Sequence, residues 1–122
     1  MIQGISQIAV PITDVGVAIS FYKEKLGLPL LFNTESMAFF EANGIRLLLS
    51  LPEQEQYQHS SSVIYFKVED IETSFQNYKQ MGIEFNDQPH LVAKMGNTQT
   101  WMTFFKDPFD NVHALMSEVV GE

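Results

Sequence analysis

The chain has 122 residues, 45% hydrophobic and 18% charged, enough for one domain that buries roughly 65% of its unfolded surface. It has no cysteine, which excludes disulfides, zinc ribbons, iron–sulfur clusters and thiolate nucleophiles. Fifteen acidic residues against seven basic ones give a net charge of −8, the wrong sign for nucleic acid or an anionic membrane surface. No apolar run approaches the ~20 residues of a membrane span. The first ten residues lack a basic segment leading into a long apolar one, so a cytoplasmic location is expected.

Read in chain order, the sequence repeats itself. Residues 7–30 are QIAVPITDVGVAISFYKEKLGLPL, and residues 63–85 are VIYFKVEDIETSFQNYKQMGIEF. Each copy starts with an apolar run and then reaches an acid, Asp14 or Asp70. Tyr22-Lys23 matches Tyr78-Lys79, and Gly27-Leu28 matches Gly82-Ile83 with one residue fewer between. The physics of each copy is a strand followed by a helix. Asp14 and Asp70 are suited to accept from the free amides at a helix start. Val15, Ala18, Ile19, Tyr22 and Leu26 form one apolar helix face; Ile71, Phe75, Tyr78 and Met81 form the other. Gly27 and Gly82 stand where a left-handed terminating residue is wanted.

The second halves also match. Phe39-Phe40 precedes Gly44-Ile45-Arg46-Leu47-Leu48-Leu49-Ser50, and Phe104-Phe105 precedes Val112-His113-Ala114-Leu115-Met116-Ser117. In this register Leu47 corresponds to Ala114. Strands are expected over about 5–12, 30–33, 37–42, 45–51, 62–68, 83–86, 99–106 and 112–117, with helices over about 14–26 and 70–81, to within ~2–4 residues. The fold class is α+β: a single domain of two tandem βαβββ modules, about 4–51 and 62–118, joined by a polar linker at 52–61. Each module has one helix for a four-stranded sheet, so one sheet face is left open. Two such sheets facing each other would enclose a ligand cavity.

These segments, with FFKDPFDNVHALMSE near the end, resemble the vicinal oxygen chelate superfamily, which includes glyoxalase I, bleomycin-resistance proteins and extradiol dioxygenases. The likeness covers about residues 4–118. Asp110 stands where the family's turn has Gly, and PHLVAKMGNTQTWMTFFKDP is similar to a bacterial subgroup. The resemblance implies a glyoxalase/bleomycin-resistance-type fold with a cavity between curved mixed sheets. It places the family's metal-ligand positions at Gln7, Leu47, Val63 and Ala114. Only Gln7 has a ligand atom, whereas a catalytic zinc needs three from protein. The metal site is therefore read as degenerate, with no cofactor expected; a divalent metal enters only if the register is wrong. A slip of one residue would bring Ser62 or His113 into place, on the helix side of the sheet.

Strand alternation gives the expected cavity lining. Gln7 and Ala9 share a face, as do Ile45, Leu47 and Leu49; Val63, Tyr65 and Lys67; Val112, Ala114 and Met116; and Trp101, Thr103 and Phe105. The ligand-binding candidates are Gln7, Leu47, Val63, Tyr65, Lys67, His90, Trp101, Thr103 and Ala114. His90, placed in the hairpin between the sixth and seventh strands, serves either as a ligand contact at the cavity mouth or as a structural residue. His59 in the linker is read as solvated, and His113 as packed on the helix side. No catalytic residue is assigned.

The leading expectation is a metal-free protein that binds or sequesters a small, mostly apolar or aromatic molecule, with the acidic balance admitting a cationic one. The bleomycin-resistance resemblance implies a homodimer. One alternative is a metal-dependent glyoxalase-type lyase, isomerase or dioxygenase with Gln7 as one ligand. Another is a regulatory or interaction module whose cavity is filled.

Overall fold

A computed structural model describes residues 1–51 and 62–121; the expected linker over 52–61, with His59, lies outside the described residues. The chain divides into two units, Met1–Ser61 with Pro108–Asn111, and Ser62–Asp107 with Val112–Glu122. The first contains β1 (Gln7–Pro11), α1 (Val15–Ile19, continuing as a π-helical segment Ser20–Lys25), β2 (Leu30–Asn33), β3 (Met37–Ala42) and β4 (Ile45–Ser50). The second contains β5 (Ile64–Lys67), α2 (Ile71–Gln80), β6 (His90–Met95), β7 (Thr98–Lys106) and β8 (Val112–Val120). The sheets run β1-β4-β3-β2 and β5-β8-β7-β6. In each, the first strand pairs parallel with the last and the other pairings are antiparallel. The same βαβββ topology occurs twice, and the fold class is α+β.

Each helix covers one face of its own sheet. In the first unit, Val10, Ile12, Ala38, Phe40, Leu47 and Leu49 are buried with Ala18, Phe21 and Tyr22 of the helical segment. Tyr22 is fully buried, its ring 5.2 Å from Phe21 and 5.9 Å from Phe40. In the second unit the buried residues include Ile71, Phe75, Ile83, Phe105, His113 and Leu115. Each large apolar side chain so buried stabilises the fold by about 1.5–3 kcal/mol.

The helix starts follow the expected chemistry. Val17 N donates to Asp14 Oδ1 at 3.0 Å, and Thr73 N donates to Asp70 Oδ1 at 3.2 Å. Gly27 and Gly82 adopt φ of +77° and +94° just beyond the helix ends. The extra residue of the first copy has a structural home. Leu28 N donates to Tyr22 O, whereas its counterpart Ile83 N donates to Tyr78 O. The same closing bond thus spans six residues in one copy and five in the other. The π-helical segment absorbs the added residue through bonds such as Leu26 N to Phe21 O, so both glycines still close their helices.

The strand expected over 83–86 is not formed. Phe85 makes only an isolated bridge to Phe105, and the β7 neighbour is instead His90–Met95. Gly96, at φ +63°, and Asn97 join those strands. Every residue of β6 is exposed, so no buried periodicity marks it, although the Gly-Asn pair is a hairpin signal. The β3–β4 connection is likewise two residues, Asn43 and Gly44, both at positive φ. In the turn at 107–111, Asp110 sits at φ +66°. Its neighbour Asn111 is buried and donates to Pro11 O at 2.8 Å.

His113 is fully buried among aromatic rings, 5.4 Å from Phe66 and 5.6 Å from Phe105. Burial lowers its pKa from 6.5 to about 4, against the smaller opposing attraction of Asp107. Between these values the unfolded chain takes up a proton that the folded chain excludes. Stability from this residue is complete above pH 6.5, declines as pH falls, and is gone below about pH 4, a loss of about 3 kcal/mol. Urea unfolding midpoints measured from pH 7.5 down to 4 are expected to fall accordingly, with a shallower fall for His113→Leu. Asp110→Gly is expected to stabilise by about 0.5–1 kcal/mol in the same assay, because glycine carries no cost at positive φ. Deleting Glu24 should let the π-helical turn close as an α-helix and leave stability within about 1 kcal/mol of the parent. Deleting Gln80 from α2, which has no spare residue, should cost more than about 2 kcal/mol.

Candidate binding faces

On each sheet the face away from its helix carries the polar and aromatic side chains of interest. In the first unit Gln7 pairs with Arg46, and Ala9 with Leu48. Arg46 lies opposite Glu41, and Leu48 opposite Phe39. These residues share the open face, because directly paired residues project to the same side. Arg46 Nε donates to Gln7 Oε1 at 2.9 Å. The guanidinium carbon lies 5.6 Å from the centre of the Phe39 ring. That ring stacks on Phe32 at 4.8 Å and 13°. Glu41 is engaged elsewhere: its Oε1 accepts from Gly44 N at 2.7 Å. Among the described residues Arg46 has no carboxylate within ion-pair distance, and the residue is exposed.

In the second unit Tyr65 pairs with Ala114, and Lys67 with Met116. Phe104 also pairs with Ala114, and Met102 with Met116. His90 pairs with Met102 at the start of β6, on the same open face. Tyr65 and Lys67 are exposed, while Phe104 is partly covered. The Phe104 ring centre is 6.3 Å from Tyr65 and 6.5 Å from His90. His90 Nδ1 is 2.8 Å from Gln88 O, so the neutral ring donates there and keeps its lone pair on Nε2. Asp87 Oδ2 lies 3.7 Å from the same Nδ1. Val63, just before β5, is exposed, and Ala114 is fully buried in the floor of the strand pairing.

Three of the ligand-binding candidates lie on the other side. Leu47 is buried under the first helix beside Phe40. Trp101 pairs with Ser117, and Thr103 with Leu115, which puts both on the helix face of the second sheet. Ile45, Leu49 and Phe105 follow the same alternation. Thr103 is fully buried, and its hydroxyl bonds Asp87 Oδ1 at 2.8 Å. Asp87 Oδ1 also accepts from Phe104 N at 2.9 Å, so Thr103 and Asp87 position the strand that carries Phe104. The cause of the error is parity. The two-residue Asn43-Gly44 turn fixes Arg46 opposite Glu41. The longer 107–111 turn shifts the second copy, so Leu48, not Leu47, corresponds to Ala114. A slip of one residue exchanges the faces of a strand. Arg46 and Phe104 escape the sequence reading for this reason; counting outward in both directions from the Asn-Gly turn pairs Glu41 with Arg46.

The donor set does not fit a divalent metal. Leu47 is off the open face, and Val63 and Ala114 offer no ligand atom. Gln7 Oε1 already accepts from a guanidinium, whose charge opposes a neighbouring cation. Among the described residues no three His, Cys, Asp or Glu side chains gather in a group able to hold a metal.

Comparison with known proteins agrees with this architecture. The Bacillus subtilis (strain 168) protein YraH is 25% identical over 123 residues, covering 87% of this chain and 91% of its own. A superfamily member from Sphaerobacter thermophilus superposes with a TM-score of 0.80 at 19% identity, covering 95% of this chain and 98% of that one. A lactoylglutathione lyase from Agrobacterium tumefaciens gives 0.73 at 17% identity, covering 94% and 93%. At such identities the structures share the fold alone. The family model for the Glyoxalase/Bleomycin resistance protein/Dioxygenase superfamily matches residues 4–115, and the chain belongs to that superfamily.

Proposed function

We propose that this chain is a metal-independent binding member of its superfamily, taking small aromatic molecules on the open face of each sheet. The observation that carries this reading is the Arg46–Gln7 hydrogen bond. It puts a fixed positive charge beside the one side chain that could have served a metal. The rings of Phe39 and Phe32 in the first unit, and of Tyr65 and Phe104 in the second, supply flat apolar contact. Each face sets a cation beside its rings, Arg46 in one and Lys67 in the other. This local charge favours an aromatic molecule bearing a carboxylate or similar anion over a cationic one, whatever the net charge of the chain. A homodimer in the cytoplasm and the absence of a required cofactor are parts of the same proposal. Sedimentation velocity reads the first.

The test is calorimetric titration with benzoate, 4-hydroxybenzoate and indole-3-acetate, each beside its uncharged amide, with and without chelator. Carboxylates should bind more tightly than amides, and chelator should change nothing. Tyr65→Ala and Phe104→Ala should each weaken binding about 2- to 10-fold, the worth of an aromatic contact. Arg46→Met should erase the preference for the carboxylate on the first face, and Lys67→Met on the second. Binding or turnover that chelator abolishes and a single metal restores would replace this reading with the metal-dependent lyase or dioxygenase.

A further inference from the structure

A concave site lies in the second unit, on the helix-covered side of its sheet. It is a pocket of about 450 Å³ at the N-terminal end of α2, within the range of small-molecule sites. Its inner wall is formed by Trp101 and Ser117, directly paired in β7 and β8. Its outer rim carries three exposed acids, Glu69, Asp70 and Glu72. No lysine or arginine lines it.

Three observations define what would fit. Ser117 is only 1% exposed, and its Oγ has no hydrogen-bond partner among the described residues. A buried hydroxyl left this way is unusual and calls for a polar group from outside. Trp101 donates its indole N–H to Gln99 Oε1 at 3.2 Å, so its polar atom is satisfied and its ring surface is what it offers to the pocket. The rim is negative. Asp70 is held ionised by its bonds to Thr73 N and Thr73 Oγ1. The α2 N-terminus contributes about half a positive charge, which three carboxylates exceed.

We propose that this pocket binds a small aromatic amine with a hydroxyl or similar polar group at the end remote from the ammonium. The ring lies against Trp101, the ammonium sits among Glu69, Asp70 and Glu72, and the distal polar group meets Ser117 Oγ. Each part of the ligand answers one observation: a cation for the rim, a ring for the indole, a hydrogen-bonding tip for the buried hydroxyl. The site is separate from the open faces and stands whether or not they bind carboxylates.

Trp101 is the one tryptophan in the sequence, so its emission reports this pocket alone. The experiment titrates the full chain with tyramine, phenethylamine and 4-hydroxyphenylacetate, exciting on the red edge of indole absorption where phenols are transparent. Tyramine should give a saturable change. Phenethylamine, lacking the hydroxyl, should bind about threefold or more weakly, and 4-hydroxyphenylacetate should leave the emission unchanged. Glu69→Gln and Glu72→Gln should each weaken tyramine about two- to fivefold. Ser117→Ala should remove the difference between tyramine and phenethylamine, with thermal unfolding confirming that the variant folds. The proposal is overturned if emission does not saturate by about 10 mM tyramine, well above a 1 mM dissociation constant. It is overturned equally if the carboxylate perturbs Trp101 as the amine does, or if Ser117→Ala leaves the preference for tyramine intact.

Discussion

Each sheet of this protein has one helix to cover it, and a four-stranded sheet has two faces. That constraint sorts every strand. Side chains on the covered face must interlock with the helix, as Leu47, Leu49 and Phe40 do with Tyr22 and Phe21. Those on the other face are released from packing and can carry charge, as Arg46 and Lys67 do. The parallel pairing of the first and last strands puts two chemically different segments side by side at the sheet edge. This is how Gln7 and Arg46, 39 residues apart, come to share a hydrogen bond.

The broad plan was legible because it rests on local chemistry. The capping acids, the apolar helix stripes and the terminating glycines each act within a few residues, so the repeat reveals both helices. The mismatch of one residue between the copies was visible as well. The sequence could not show where the difference would go. Of the two ways to accommodate it, rotating the following strand or widening a helical turn, the structure uses the second, which leaves the pairing of β2 undisturbed.

The faces were harder to read because a strand's two sides differ by a single step. Apolar residues run continuously through Ile45 to Leu49 apart from Arg46. In such a run hydrophobicity does not choose a side, and the turn must. In β7 the run TWMTFF has the same ambiguity, and Thr103 lies buried because Asp87 provides a partner for its hydroxyl. β6 was missed for the opposite reason. It is exposed throughout and is held by backbone pairing to β7, which leaves no hydrophobic signature.

The first unit is not a continuous stretch of chain. It includes Pro108–Asn111, and the Asn111 side chain satisfies the Pro11 carbonyl across 100 residues of sequence. A nascent chain that has emerged only as far as the linker therefore lacks a piece of its own first half. That half waits until residue 111 has been made before this buried hydrogen bond can form. Closing so long a loop is entropically costly and slow compared with the local contacts of the helices. The two repeated halves, alike in topology, are thus unequal in assembly, and a fragment cut at the linker is an incomplete object rather than a half-size protein.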